Sequence, residues 1–389
     1  MSRFTIPRDI FIGNGAIDEL SKLTQYKKAI IVTGGHSMRK GGFLQKAEDA
    51  CKKAGMETKL FEGVMPDPTI ECVLDGAKAM QEFEPDLIVA IGGGSPLDAA
   101  KAMWVFYEHP ELTFQDIIDP FSIPRLRTKA DFVAIPSTSG TASEVTAFSV
   151  ITDEKTKVKY PLADYEITPD IAILDMDIPL TMPVSLTADT GMDALTHAIE
   201  AYVASNHSYI SDALAIHAIQ IIYESLFASV QGNAEARARI HIAQCMAGMA
   251  FSNALLGICH SLAHKTGAQF DIPHGRCNAI LLPYVIEFNA VSERERYANI
   301  GRSLGLPGQT DRQQVNSLVE AVEKLNRQLG IKQSYKENGV SEADYMKVAD
   351  FIAKEAVADP CTASNPRETS VEDMRKILDC AFFGKDVEF

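Results

Sequence analysis

Between Lys28 and about Asp175 the chain alternates short apolar runs with stretches of helical periodicity. The runs are Ala29-Ile30-Ile31-Val32, Leu87-Ile88-Val89-Ala90-Ile91, Phe132-Val133-Ala134-Ile135 and Ile171-Ala172-Ile173-Leu174. They are Val/Ile-rich and continuous rather than alternating, as parallel strands covered on both faces must be. Helical spacing fills 43–54 and 69–83, with a further strand expected at Thr58–Phe61. This alternation predicts a doubly wound α/β domain. Past about Pro183 the strand signals stop. Segments rich in Ala, Leu, Met and Ile follow at 187–204, 210–229, 234–253, 274–289, 312–329 and 342–357, with apolar spacing nearer 3.6 than 2. An all-α second domain is expected, so that the chain divides into 1–183 and 184–389. No repeat or flexible linker separates the two, and a cleft between them is the expected place for a ligand.

Composition narrows the class. A length of 389 residues suits two or three domains. With 37 Lys+Arg against 52 Asp+Glu the formal charge is −15, which argues against sequence-independent nucleic-acid binding, since that requires clustered cations. No apolar run approaches the roughly 20 residues of a membrane span, and the N-terminal residues lack a signal-peptide layout. The seven cysteines are scattered without a Cys-x-x-Cys pair, which predicts thiols in a reducing, cytoplasmic setting.

Two turns are candidates for phosphate binding. After the Leu87–Ile91 run comes Gly92-Gly93-Gly94-Ser95-Pro96-Leu97-Asp98, with Ser95 as expected N-cap and Pro96 at the first helical position. Glycines let backbone N–H groups approach an anion, and a helix start adds partial positive charge. This is not the Gly-x-Gly-x-x-Gly fingerprint, and one such turn alone also fits an ordinary strand–helix connection. The second is Pro136-Ser137-Thr138-Ser139-Gly140-Thr141-Ala142-Ser143-Glu144, hydroxyl-dense and expected to lead into a helix. Two such turns at strand carboxyl ends match where open α/β sheets hold ligands. The turn after the first strand, Thr33-Gly34-Gly35-His36-Ser37-Met38-Arg39-Lys40, contains no acid. Gly34 and Gly35 leave space, Ser37 offers a donor, and two cations follow. A ribose 2′-phosphate is therefore favoured over a bare diol, pointing to NADP(H).

Asp193 and His197 lie four apart in a helical stretch, on one face. His260 and His264 repeat the spacing, and His274 follows in Ile272-Pro273-His274-Gly275. A carboxylate with several imidazoles suits Fe(II) or Zn(II) with an open coordination position. Spacing alone leaves open which of His260, His264 and His274 bind the ion.

These motifs resemble a known family. Leu174-Asp175 through Pro183, then Asp189-Thr190-Gly191-Met192-Asp193-Ala194-Leu195-Thr196-His197-Ala198-Ile199-Glu200, looks like the signature of iron-dependent (group III) alcohol dehydrogenases. So does Gly257-Ile258-Cys259-His260-Ser261-Leu262-Ala263-His264 followed by Pro273-His274-Gly275. The resemblance extends from Phe4 to Asn365-Pro366-Arg367, and within the family it is strongest to NADPH-dependent butanol dehydrogenases. It also reaches the alcohol-dehydrogenase half of bifunctional aldehyde-alcohol dehydrogenases. It implies the dehydroquinate synthase-like architecture: an α/β dinucleotide-binding domain and an all-α domain for metal and substrate. It implies metal ligands at Asp193, His197, His260 and His274, with His264 unligated near the nicotinamide and passing the proton. Cofactor contacts are implied at Gly93, Gly94, Ser95, Asp98, Thr138, Ser139 and Lys159, joining Gly34, Gly35, Ser37 and Gly92 from the turns. Many relatives carry Asp where Gly34 stands, and many have Asn where Asp67 stands, so Asp67 is not assigned a cofactor contact. A homodimer or larger homo-oligomer is a further implication.

The expected activity is hydride transfer between NADP(H) and a small primary alcohol or aldehyde such as butanol or butanal. The ion would act as a Lewis acid on the substrate oxygen. Phe251, Leu255 and Ile258 are candidates to line an alkyl pocket, with helix packing as the competing reading. The alternative within enzymes is a dehydroquinate synthase-like lyase, whose polar substrate would need basic residues where this chain has Ala, Leu, Met and Phe. A nucleotide-sensing or filament-forming protein without turnover would not need the full donor set.

Overall fold

A computed structural model describes residues 3–155 and 158–385. The chain separates into two compact units, Met1–Met182 and Pro183–Phe389.

In the first unit, β1 (Asp9–Gly13) precedes β2 (Lys28–Thr33), α1 (His36–Lys40), α2 (Phe43–Lys53), β3 (Glu57–Glu62), α3 (Ile70–Phe83), β4 (Leu87–Gly92) and α4 (Gly94–Glu108). Then come β5 (Asp131–Pro136), β6 (Phe148–Asp153), β7 (Val158–Ala163) and β8 (Ile171–Asp175). Six strands form one parallel sheet in the order β1-β8-β5-β4-β2-β3, while β6 and β7 form an antiparallel pair. Register aligns Ile31 with Val89 and Val89 with Val133. The pleat divides these strands between two cores. Ile30, Val32, Ile88 and Ala90 face Met103 and Trp104 of α4, whereas Ala29, Ile31, Leu87 and Val89 face Leu44, Ala47 and Cys51 of α2. Each buried Val, Ile or Leu contributes about 1.5–3 kcal/mol by leaving water. Both faces being covered is the reason the central runs contain no polar alternation.

Two expectations at the turns change. Helix α4 begins at Gly94 with Gly93 as N-cap, so Ser95 is not the cap and Pro96 stands third. Proline is tolerated there because the first four N–H groups of a helix have no partner to lose. The segment after Gly140 does not enter a helix. Ser143–Val145 makes a single 3₁₀ turn, and β6 follows. Side chains of α4 hold it extended: Asp98 Oδ2 accepts the Val150 N–H at 3.0 Å, and Lys101 Nζ donates to the carbonyls of Thr146 (2.8 Å) and Phe148 (2.9 Å).

The second unit is helical: α5 (Val184–Val203), α6 (Tyr209–Val230), α7 (Ala234–Ala254), α8 (Ile258–Phe270), α9 (His274–Asn289), α10 (Arg294–Ser303), α11 (Asp311–Gln328), α12 (Glu342–Val357) and α13 (Val371–Phe383). One core joins Met192, Leu195, Ile219, Leu226, Leu282 and Phe382 among others. Helix α8 runs unbroken through His264 and Lys265. Helix α6 is long and apolar enough for a membrane span by length and a hydropathy of 1.5, which run length alone did not anticipate. It carries Asp212 and Glu224, and its buried face supplies Ala218, Ile219, Ile222 and Leu226 to the core. Among the described residues no disulfide joins the cysteines.

Candidate functional site

Helix α5 carries Asp193 and His197 one turn apart, both buried. Gly191 lets α5 approach α6, since a Cβ there would stand 2.2 Å from Leu226 Cδ1. Helix α8 brings His260, and α9 opens with His274 as its first residue. Gly275 permits the α5–α9 approach: its missing Cβ would lie 2.1 Å from the Asp189 carbonyl oxygen. Arg276 reinforces the contact with a two-pronged bond to the Asp189 carboxylate at 3.0 and 3.2 Å.

The result is a compact donor set. Single ligand atoms of Asp193, His260 and His274 all lie within 4.8 Å of one another. Asp193 Oδ1 is 3.4 Å from His274 Nε2 and 3.6 Å from His260 Nε2. His197 stands beside this set: its Nδ1 is 4.0 Å from Asp193 Oδ2, and its ring stacks between His260 (4.4 Å) and Phe251 (4.3 Å). Burial pushes the Asp193 carboxyl up, but His197, His274 and His260 outweigh it and hold the group far below the carboxylate range. An anionic oxygen facing imidazole nitrogens is a set that a divalent cation fits.

The surrounding shell was not read from the sequence. Glu200 accepts His260 Nδ1–H at 2.5 Å through Oε2 and the Cys259 N–H at 2.8 Å through Oε1. That bond occupies Nδ1 and turns Nε2 toward Asp193, where it holds a proton in the metal-free protein and would offer its lone pair to a cation. Burial lowers the His260 pKa, yet Glu200 and Asp193 outweigh burial and raise it. Asn278, one turn beyond His274, donates from Nδ2 to Asp193 Oδ1 at 2.8 Å and reaches His260 Nε2 and His274 Nε2 at 3.1 and 3.2 Å. Asn365 accepts the Ile258 N–H at 3.3 Å, fixing the start of α8.

His264, one turn beyond His260, stacks on His274 with centroids 5.2 Å apart. Its Nδ1 meets Asp359 Oδ2 at 3.1 Å, and Lys265 Nζ meets the same oxygen at 3.0 Å. Burial raises the Asp359 carboxyl, but His264 and Lys265 outweigh this and keep it ionised. Leu255, at the bend between α7 and α8, holds φ 67° and ψ −169°. This region costs about 1–3 kcal/mol for a residue with a Cβ and clusters at functional sites. Ile258 is fully buried in the helical core, so packing is its role.

In the first unit the two predicted turns meet. The Ser137 N–H donates to the Gly92 carbonyl at 2.7 Å. A Cβ at Gly93 would stand 3.3 Å from Thr138 Cγ2, and one at Gly94 2.9 Å from Thr141 Cγ2. The glycines are needed for this approach as well as for any anion. No side chain caps the start of α4. Asp98 is used internally: Ser143 Oγ donates to Oδ1 at 2.6 Å while Val150 occupies Oδ2. Ser139 is buried and its hydroxyl faces Met182 Sδ at 3.9 Å. Lys159 Nζ pairs at 2.6 Å with Asp67, the residue the sequence reading set aside. After β2, Gly34 and Gly35 precede the short α1, where Ser37 is exposed. Arg39 is not an open cation: Glu62 at the end of β3 receives it through two bonds of 2.9 and 2.7 Å.

Comparison with known proteins identifies the family. The profile described as iron-containing alcohol dehydrogenase matches residues 7–176, and that of the family's C-terminal region matches 187–382. An NADPH-dependent butanol dehydrogenase of Clostridium saccharobutylicum is 57% identical over 389 residues, all of both chains. An aldehyde-alcohol dehydrogenase of Streptococcus pneumoniae is 42% identical across 99% of this chain and 46% of its own length. Among solved structures, an iron-containing alcohol dehydrogenase from Thermococcus thioreducens superposes with a TM-score of 0.92 at 41% identity, covering 98% of this chain and all of that one. A 1,3-propanediol oxidoreductase gives 0.92 at 35% identity over the same shares. The chain therefore belongs to the iron-containing alcohol dehydrogenase family and is an oxidoreductase of that kind.

Proposed function

We propose that the protein reduces small, apolar aldehydes such as butanal with NADPH and runs the reverse oxidation of the primary alcohol. The observation that carries this reading is the convergence of Asp193, His260 and His274 donor atoms within 4.8 Å. With His197 as the fourth ligand, these residues would hold Fe(II), or Zn(II) as the alternative. Bound there, the ion supplies Lewis-acid polarisation of the substrate oxygen, and the nicotinamide supplies hydride.

The chain's own groups do the rest. Asp193 supplies the negative charge, and Glu200 orients His260 so that Nε2 faces inward. His264 carries the proton to or from the substrate oxygen through Nε2, because Asp359 engages Nδ1. Phe251, stacked on His197, excludes water from the substrate side. Gly92, Gly93, Gly94, Ser95, Thr138 and Ser139 form the pyrophosphate cradle, and Lys159 adds charge. Asp98 acts by bracing the hairpin rather than by contact. Gly34, Gly35 and Ser37 face the adenosine ribose. Support for NADPH and a butanol-sized substrate comes from the 57% identity to the Clostridium enzyme. A cytoplasmic homodimer or larger homo-oligomer completes the proposal.

His274→Ala and His264→Ala test the roles together. Measured by metal analysis after dialysis and by NADPH consumption with butanal, the first should lose metal and activity. The second should keep metal and lose turnover roughly 100-fold, the scale of general acid–base assistance. A His264 variant that comes out metal-free would reject the assignment.

A further inference from the structure

The turn after β2 is served by a carboxylate that its own sequence lacks. Glu62, the last residue of β3, receives Arg39 Nε at 2.9 Å and Nη2 at 2.7 Å. The same side chain lies against the Gly35 backbone, where a Cβ would stand 2.5 Å from Oε1 and 2.6 Å from Cγ. Gly35 also holds φ +97°, so two independent demands exclude a side chain there. β2 and β3 are paired and parallel, with Thr33 opposite Glu62, which puts the carboxylate at the carboxyl end of the sheet beside the Gly34–Lys40 turn.

We infer that Glu62 is a nucleotide-selectivity residue, whose carboxylate competes with the 2′-phosphate of NADP(H) for Arg39 and accepts hydrogen bonds from the ribose hydroxyls of NAD(H). The inference rests on the proposed placement of the adenosine ribose at this turn. Its chemistry follows from the fork geometry of arginine. The Nε–Nη2 edge, the face that would grip a phosphate in two-pronged fashion, is already taken by Glu62. A phosphate arriving there meets a like charge and must displace it. A ribose diol meets an acceptor instead, as acids do at dinucleotide sites that choose NAD. Ser37 and Lys40 stay exposed on the turn for the phosphate. On this reading the turn forms an intermediate pocket, which accepts NADPH and still binds NADH.

The pair is exposed, at 58% for Arg39 and 35% for Glu62, so it adds little to the fold and Glu62→Gln should leave folding intact. The test is equilibrium binding to the metal-loaded full-length enzyme by calorimetry, with NADPH, NADH and adenosine 2′,5′-bisphosphate as ligands and circular dichroism as the folding check. Glu62→Gln should tighten NADPH and the bisphosphate roughly fivefold, the scale of one charge repulsion at contact in water. NADH should weaken or hold, so the affinity ratio shifts toward NADPH. An unchanged ratio, or weaker NADPH binding, overturns the inference. Arg39→Ala separates the two levels. It should weaken NADPH and the bisphosphate but not NADH, and if it moves none of the three, the placement of the ribose fails rather than the role of Glu62.

Discussion

Gly275→Ala sets two effects of known size against each other at the candidate metal centre. Helix propensity alone favours the change by at most about 1 kcal/mol, the interior value, since Gly275 is the second residue of α9. The neighbourhood forbids it. The new Cβ would stand 2.1 Å from the Asp189 carbonyl oxygen and 2.7 Å from its carbon, both backbone atoms of α5 that cannot rotate away. Ordinary contact begins near 3.4 Å, so the two helices must part by about 1.3 Å. Overpacking of this kind costs about 1–3 kcal/mol, which outweighs the propensity gain. Metal sites tolerate only about 0.2 Å in ligand distance, and Asp193 and His274 sit on the two helices being separated. The expected outcome is a melting point lower by roughly 2–8 °C and divalent-metal affinity lower by about 10–100-fold. Anaerobic titration of metal-free protein with Fe(II) or Zn(II) against a competing chelator measures the affinity, and scanning calorimetry the stability. Gly191→Ala is the contrast: its Cβ meets the Leu226 side-chain tip at 2.2 Å, so stability should fall while metal affinity holds. Should Gly275→Ala bind metal as tightly as the parent protein, the α5–α9 contact would not be what fixes the donor geometry.

Three further outcomes are expected. Gly34→Asp should weaken NADPH by repelling its 2′-phosphate, and Gly34→Ala controls for crowding, since any Cβ at 34 comes within 3.1 Å of the Val64 carbonyl oxygen; equal effects of the two on the NADPH:NADH binding ratio would remove charge as the cause. Asp359→Asn should keep metal but lower kcat by roughly 10–100-fold, because His264 loses the carboxylate that fixes its Nδ1 proton, and a normal kcat would detach Asp359 from the proton path. In metal-free protein the raised His260 pKa contributes stability that is complete below 6.5 and lost as pH climbs through the elevated value. A bound ion replaces that proton, so the gap in melting point between loaded and metal-free protein should widen above pH 6.5 and flatten in Glu200→Gln.

How much of this was legible depends on whether a signal is local. The central strands announced themselves because both faces are buried, so every position from Leu87 to Ile91 is apolar. Strand β1 did not, being a half-exposed edge of five residues. The hairpin β6–β7 was hidden because contacts from α4, through Asp98 and Lys101, impose it. Helix α10, Arg-Glu-Arg-Tyr-Ala-Asn-Ile-Gly-Arg-Ser, carries too few apolar positions to show a period. At the site, Asp193, His197, His260 and His274 were visible as chemistry at helical spacing. Glu200 had a local signal, three residues past His197 on the same helix, and Asn278 had one, four past His274. Asp359 had none, lying 95 residues from the histidine it engages. Glu62 shows the same limit: the turn at Gly34–Lys40 reads as free of acid until the neighbouring strand is placed beside it.

What these partners share is that each spans two elements. Glu200 of α5 holds His260 of α8, Asn278 of α9 holds Asp193 of α5, and Arg276 of α9 holds Asp189 of α5. Asn365, beyond α12, holds the first turn of α8. All are buried or half-buried, so removing one partner strands a polar group at a cost of about 1–3 kcal/mol. The same bonds set the distances between ligand atoms. Stability of the helical unit and precision of the donor set are therefore one physical quantity read in two assays, and most substitutions at the braces will move both. Crowding at Gly191 and Gly275 divides them, because one side yields by rotating a leucine while the other can yield only by moving a ligand-bearing helix.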